Sequence, residues 1–215
     1  MTVINRLRSA IAVSHDQIEK TPYSIAIMNA SIGISDYIVS LAQLYAIHHT
    51  LESVSSHNQF AAYFSDEMIR TSAIKRDLKF WGASLADIAI MPEAAATCTL
   101  IEQAATKEPA SILGFIYVLE GSRMGSLVIV KPLAAALQVT PHDSQGLDYH
   151  TEGARQTPAR LGVWKARVEQ IGLSESDVHT IERATTAFME SLTTLYAKLP
   201  VNENLRFNRI QADVA

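Results

Sequence analysis

Apolar residues recur at intervals of three and four along almost the whole of this chain, and strand-like alternation is scarce. The spacing predicts helices over residues 2–20, 24–30, 34–56, 58–80, 92–106, 109–138, 151–171 and 174–198. Several starts have a chemical cause. Ser35 and Asp36 suit the cap of the third helix, and Pro109 or Ser111 opens the sixth. Ser174-Glu-Ser-Asp177 sets acids in a first turn, where the helix dipole favours them. Pro132 lies in the apolar continuation of the sixth helix and is expected to kink or break it, lacking an N–H to donate. The stretch 140–146 reads as a loop by composition. The organisation expected is therefore all-α: one helical domain over residues 1–200, then a tail over 201–215 that loses periodicity and reads as poorly ordered.

The sixth helix carries the first chemical signal. It has glycines at 121 and 125, with serines at 122 and 126. Glycine in a helix interior costs roughly 0.5–1 kcal/mol relative to alanine. Two of them on one face bare the backbone, so either another helix packs closely there or a flat, bulky ligand lies against it. The second signal is His15, which follows Ile11 by four and shares an inward stripe with Leu7 and Ile11. Glu19 follows four later, within reach of one imidazole nitrogen. Such a histidine is either a satisfied core residue or a metal ligand whose other nitrogen a carboxylate holds.

Composition narrows the classes. The chain has 215 residues, 48% hydrophobic and 19% charged, which suits an ordinary globular protein. Lys+Arg total 18 against 22 Asp+Glu, and no basic run interleaved with aromatics appears, so a nucleic-acid partner is not expected. The single cysteine, Cys98, excludes an internal disulfide and reads as a small apolar side chain. No apolar run reaches the ~20 residues of a membrane span, and Arg6 and Arg8 precede no uninterrupted apolar stretch. The expectation is a soluble, cytoplasmic protein with no membrane partner.

Three segments together resemble the haem oxygenase family in its bacterial, biliverdin-producing form. Leu7-Arg8 through Ser14-His15-Asp-Gln-Ile-Glu19 is similar to the proximal haem-ligand helix. Tyr37-Ile-Val-Ser-Leu-Ala-Gln-Leu-Tyr45 with Leu51-Glu52 resembles the helix that follows it, and Tyr117-Val-Leu-Glu-Gly-Ser-Arg-Met-Gly125 the distal helix. The resemblance implies a helical bundle with haem between a proximal and a kinked distal helix. Haem is there both cofactor and substrate, its iron ligated by His15, whose orientation Glu19 fixes. The implied reaction opens the ring to biliverdin, carbon monoxide and ferrous iron, with dioxygen and electrons from an external donor such as a ferredoxin or a reductase. Gly121 and Gly125 would let the distal backbone approach the bound oxygen, and Ser122 would help hold distal water. Arg8, Tyr117 and Lys131 would meet the propionates at the pocket edge. Ser126 stands where the family often has a second glycine, and would tighten the pocket or add a hydrogen bond. The alternative is a carrier or sensor of the same fold that binds haem without breaking it.

The remaining polar residues read as surface. His48, His49 and Glu52 share a helix stretch that could chelate a metal, but a solvated face is the expectation. His142, His150 and His179 stand in loop-like or surface contexts, and Glu120 and Arg123 face solvent or pair with neighbours.

Overall fold

The computed structural model describes residues 1–140 and 145–201, and all regular structure among them is helical. The helices are α1 (Val3–Ala10), α2 (Ala12–Glu19), α3 (Pro22–Met28), α4 (Ile34–Ser56), α5 (Thr71–Phe80), α6 (Pro92–Lys107), α7 (Ser111–Leu137), α8 (Asp148–Thr151), α9 (Thr157–Glu169) and α10 (Glu175–Lys198). Residues 141–144, with His142 and most of the expected loop, and residues 202–215 lie outside the described residues.

The C-terminal helix α10 is the axis, packing against α7, α6, α2, α1 and α3, while α4 lies on α6 and α5. Its start has both halves of a capping box: Ser174 Oγ accepts from Asp177 N, and the Asp177 carboxylate accepts from Ser174 N. Phe115 of α7 meets Phe188 of α10 edge to face at 5.2 Å, and both rings are fully buried. The two helices approach through Gly114: a Cβ there would stand 2.6 Å from Thr185 Oγ1 and 2.8 Å from the Ile181 carbonyl oxygen.

Several boundaries differ from the sequence expectation. The expected first helix is two, because Ile11 takes φ −100°, ψ 0° and breaks the ladder between α1 and α2. The expected helix over 58–80 begins only at Thr71; two short 3-10 turns, Ala61–Tyr63 and Asp66–Met68, precede it. Its start comes from outside the segment, since the Glu52 carboxylate of α4 accepts from Arg70 N (2.8 Å), Thr71 N (3.1 Å) and Thr71 Oγ1 (2.6 Å). Gly33, not Ser35 or Asp36, is the N-cap of α4, and Ala110 precedes Ser111 at the start of α7.

Pro132 does not interrupt α7, which runs on to Leu137. The carbonyl left without a donor, that of Val128, belongs to a residue 61% exposed, where water can serve it. By length and composition, α7 is also apolar enough to cross a membrane, contrary to the sequence reading, but 61% of its most apolar stretch is buried within the bundle.

Candidate functional site

From Ser111 to Glu120 every residue of α7 is buried. Beyond Gly121 the helix keeps only one side in the core, through Arg123, Ser126, Leu133, Ala134 and Leu137. Gly121, Met124, Gly125 and Val128 fall at three- and four-residue steps, on one helical face. An added Cβ at Gly121 or Gly125 would meet nothing within 4 Å, and Met124, Leu127 and Val128 are 38%, 46% and 61% exposed. The glycine pair therefore does not serve helix packing among the described residues. Ser122, on the edge of this face, donates its hydroxyl proton to the Leu119 carbonyl at 2.7 Å, leaving its oxygen as an acceptor.

The break at Ile11 decides where His15 points. Ser14 turns into the core, its carbonyl accepting from Thr193 Oγ1 at 3.3 Å, and the His15 side chain stands 58% exposed. This corrects the inward stripe expected from an unbroken helix. His15 Nδ1 lies 3.4 Å from Glu19 Oε1, so Nε2 is the ring nitrogen that Glu19 does not engage.

Arg8 is exposed at the end of α1 and close enough to Tyr117 to oppose the upward push that burial gives that phenol. Lys165 of α9 lies 5.7 Å from the centre of the same ring. Two cations from two helices thus converge on Tyr117, and Lys165 is the one that nothing in the sequence pattern marked. Lys131 is exposed but stands apart: from residue 117 to 131, at 1.5 Å per residue, is about 21 Å along α7.

The back of α7 is polar and buried, and Glu120 and Arg123 pair there with neighbours. Glu120, 3% exposed, accepts from Arg160 Nε (2.9 Å) and Nη2 (2.7 Å) of α9, and from Arg123 Nη1 at 3.3 Å. Arg123 also donates to the Glu67 and Glu152 carbonyls. Ser126 is buried and lies 3.2 Å from His150 Nδ1, so its hydroxyl points behind the glycine face instead of across it. His150 and His48, both expected at the surface, are buried, and His48 Nε2 meets the Tyr149 hydroxyl at 3.1 Å. Burial, aided by Arg70, pulls both histidines down to about 3, so they are neutral near neutral pH. Asp77 is pushed up to about 7 by burial, against two backbone N–H donors that favour its charged form. Glu52 is the α5 cap, and no cluster of metal-ligating side chains forms around it among the described residues.

The family model described as Heme oxygenase matches residues 1–195. This chain belongs to the haem oxygenase family. Heme oxygenase 1 of Rattus norvegicus is 21% identical over 193 residues, which cover 85% of this chain and 66% of the rat protein, just under two thirds of that relative. Among solved structures, heme oxygenase-1 of the cyanobacterium Synechocystis sp. in complex with heme has a TM-score of 0.85 at 15% identity, covering 94% of each chain. Heme oxygenase of Leptospira interrogans has a TM-score of 0.84 at 16% identity, covering 93% of this chain and 100% of that one. Heme oxygenase-2 of Synechocystis sp. with heme and NO reaches 0.82 at 19%, covering 93% and 85%. The all-helical bundle is thus the haem oxygenase fold.

Proposed function

We propose that this haem oxygenase binds haem between α2 and α7 and opens the ring to biliverdin, carbon monoxide and ferrous iron. Dioxygen and electrons from an external donor, a ferredoxin or a reductase, are the co-substrates. The observation that carries this reading is the face of α7 from Gly121 to Val128, apolar and open on a helix whose preceding turns are wholly buried. A planar apolar substrate fits a surface with no Cβ at two successive turns, and an exposed imidazole is a suitable donor for its iron.

His15 would hold the iron through Nε2, and Glu19, its Oε1 3.4 Å from Nδ1, would favour the tautomer with the proton on Nδ1. Gly121 and Gly125 keep side chains out of the space where the substrate's meso edge and dioxygen must meet. Ser122 has already given its proton to Leu119, so it can only accept. A water donating to Ser122 keeps its second hydrogen and its lone pairs for the distal space, which orients it for proton delivery. Arg8, Tyr117 and Lys165 form the edge for the propionates, two cations and a phenol against two carboxylates.

The test is an absorption titration with haemin, followed by reduction in air with a ferredoxin–reductase couple. A Soret band that decays into biliverdin absorption supports the enzyme. A Soret band that persists under electrons and oxygen points to the carrier or sensor instead. Failure to form a stoichiometric complex overturns both.

A further inference from the structure

We propose that His150 is a positioning residue: its hydrogen bond to Ser126 fixes, from behind, where the Gly121–Gly125 face of α7 stands relative to its ligand. Ser126 directly follows Gly125, and the Ser126 Oγ–His150 Nδ1 pair at 3.2 Å is buried, the two residues 5% and 9% exposed. Serine here contributes nothing to the open face, so its hydroxyl acts through the helix backbone.

The histidine is itself held rigidly. Its ring stacks on Tyr37 with centres 6.1 Å apart and planes 28° apart, and meets Tyr149 edge to face at 4.7 Å. It belongs to α8, which α5 and the residue before it grip from both ends. Asp77 accepts from Asp148 N (2.6 Å) and Tyr149 N (2.8 Å), while Arg70 donates to the carbonyls of Asp148 (2.9 Å) and Tyr149 (2.7 Å). On the other side of the glycine pair, Glu120 is forked by Arg160 from α9. Polar ties at 120 and 126 therefore bracket the two glycines on the back of the helix. At the front, Gly121 and Gly125 have no side chain to brace them and no protein neighbour within 4 Å of an added Cβ. A backbone held from one side only takes its position from what holds it there. In this arrangement the Ser126–His150 bond is the tie adjacent to Gly125, and it sets the room left for substrate and oxygen.

This inference rests on the haem reading above, and the test separates the two. Ser126→Ala removes the hydroxyl, His150→Phe keeps a ring against Tyr37 without the nitrogen, and the double variant removes both. In the ligand-free full chain, amide hydrogen exchange over residues 121–128 is expected to speed by about five- to tenfold in each single variant, the worth of one buried hydrogen bond. In the haem-loaded, reduced protein the carbon–oxygen stretching frequency of bound carbon monoxide, and its dissociation rate, are expected to shift equally in both. The double variant adds nothing further, since the two changes break one interaction. Faster exchange with an unchanged carbon monoxide signature makes the bond structural only and overturns the proposal, as do shifts that simply add. If His150→Phe does not fold, Ser126→Ala alone still decides by the same two readouts. A wild-type protein that takes up no haem sinks the functional reading and this inference with it, while the exchange data still report the bond itself.

Discussion

Gly114 of α7 lies so close to Thr185 of α10 that a single added carbon would come within 2.6 Å of the threonine hydroxyl, whereas Gly121, two turns on, has open space at the same point. Glycines on one helix thus do opposite work. Gly114→Ala is expected to destabilise the protein by about 1–3 kcal/mol through overpacking. Gly121→Ala and Gly125→Ala should each stabilise the ligand-free protein by up to about 1 kcal/mol, since alanine is the better helix former. Urea unfolding distinguishes them by sign. Gly125→Leu should likewise fold normally and yet form no biliverdin. A destabilising Gly121→Ala would mean that the face is packed by protein.

His15 and Glu19 make a solvent-exposed pair, 58% and 65% exposed, which limits what the carboxylate can contribute. His15→Ala is expected to displace the Soret band of the haem complex and to abolish turnover. Glu19→Gln should change haem affinity by no more than about threefold, in keeping with an exposed i,i+4 pair. An unchanged spectrum in His15→Ala removes that residue from the site.

Arg8 and Lys165 approach Tyr117 from α1 and α9, and the prediction for them is chemical. Arg8→Ala and Lys165→Ala should each weaken haem binding by about two- to fivefold, the range of exposed charge pairs. With haem dimethyl ester, which has no free propionates, both variants should bind as wild type does. Losses of equal size with the ester would show that the two cations serve packing and not carboxylate recognition.

His48 and His150 are held down at about 3 against an ordinary value of 6.5. Between those values the unfolded chain binds protons that the folded chain refuses, so their share of stability is present above pH 6.5 and is lost as pH falls. Asp77, raised from 3.8 to about 7, acts the other way: it stabilises at low pH, and that share is lost as pH rises through 7. Two histidines against one carboxyl leave a net loss on acidification. His150→Phe should reduce the slope of unfolding free energy between pH 4.5 and 6 by one proton, about 1.36 kcal/mol per pH unit. Equal slopes in variant and wild type would contradict the buried, neutral state of His150.

Periodicity was a sound guide where a helix is organised by its own sequence. The span 34–56 is reproduced to the residue, and α10 begins one residue inside the expected 174–198, behind the cap that Ser174 and Asp177 encode locally. It failed where the cause lies elsewhere in the chain. The start of α5 depends on Glu52, 19 positions before Thr71. The break at Ile11 leaves the apolar stripe intact and shows only as a rotation that exchanges Ser14 for His15. The burial of His48 depends on Tyr149, 101 residues away, so no local pattern could reveal it. In the candidate site, Gly121 and Gly125 were legible because helix glycines are costly, and His15 because of its spacing to Glu19. Lys165 and His150 were not, since each acquires its meaning from a residue on another helix.

The one-sided burial of α7 after Glu120 has a consequence for the lifetime of the molecule. A bundle with an exposed apolar flank is an unfinished core, and on the proposed reading the substrate finishes it. Haem at a hundred times its dissociation constant would add about 2.7 kcal/mol to the folded state by mass action alone. On that reading each turnover would destroy the molecule that supplied the protection and return the protein to its less stable form. Abundance of this protein would then follow the supply of haem through the survival of the folded chain, with no separate sensor required.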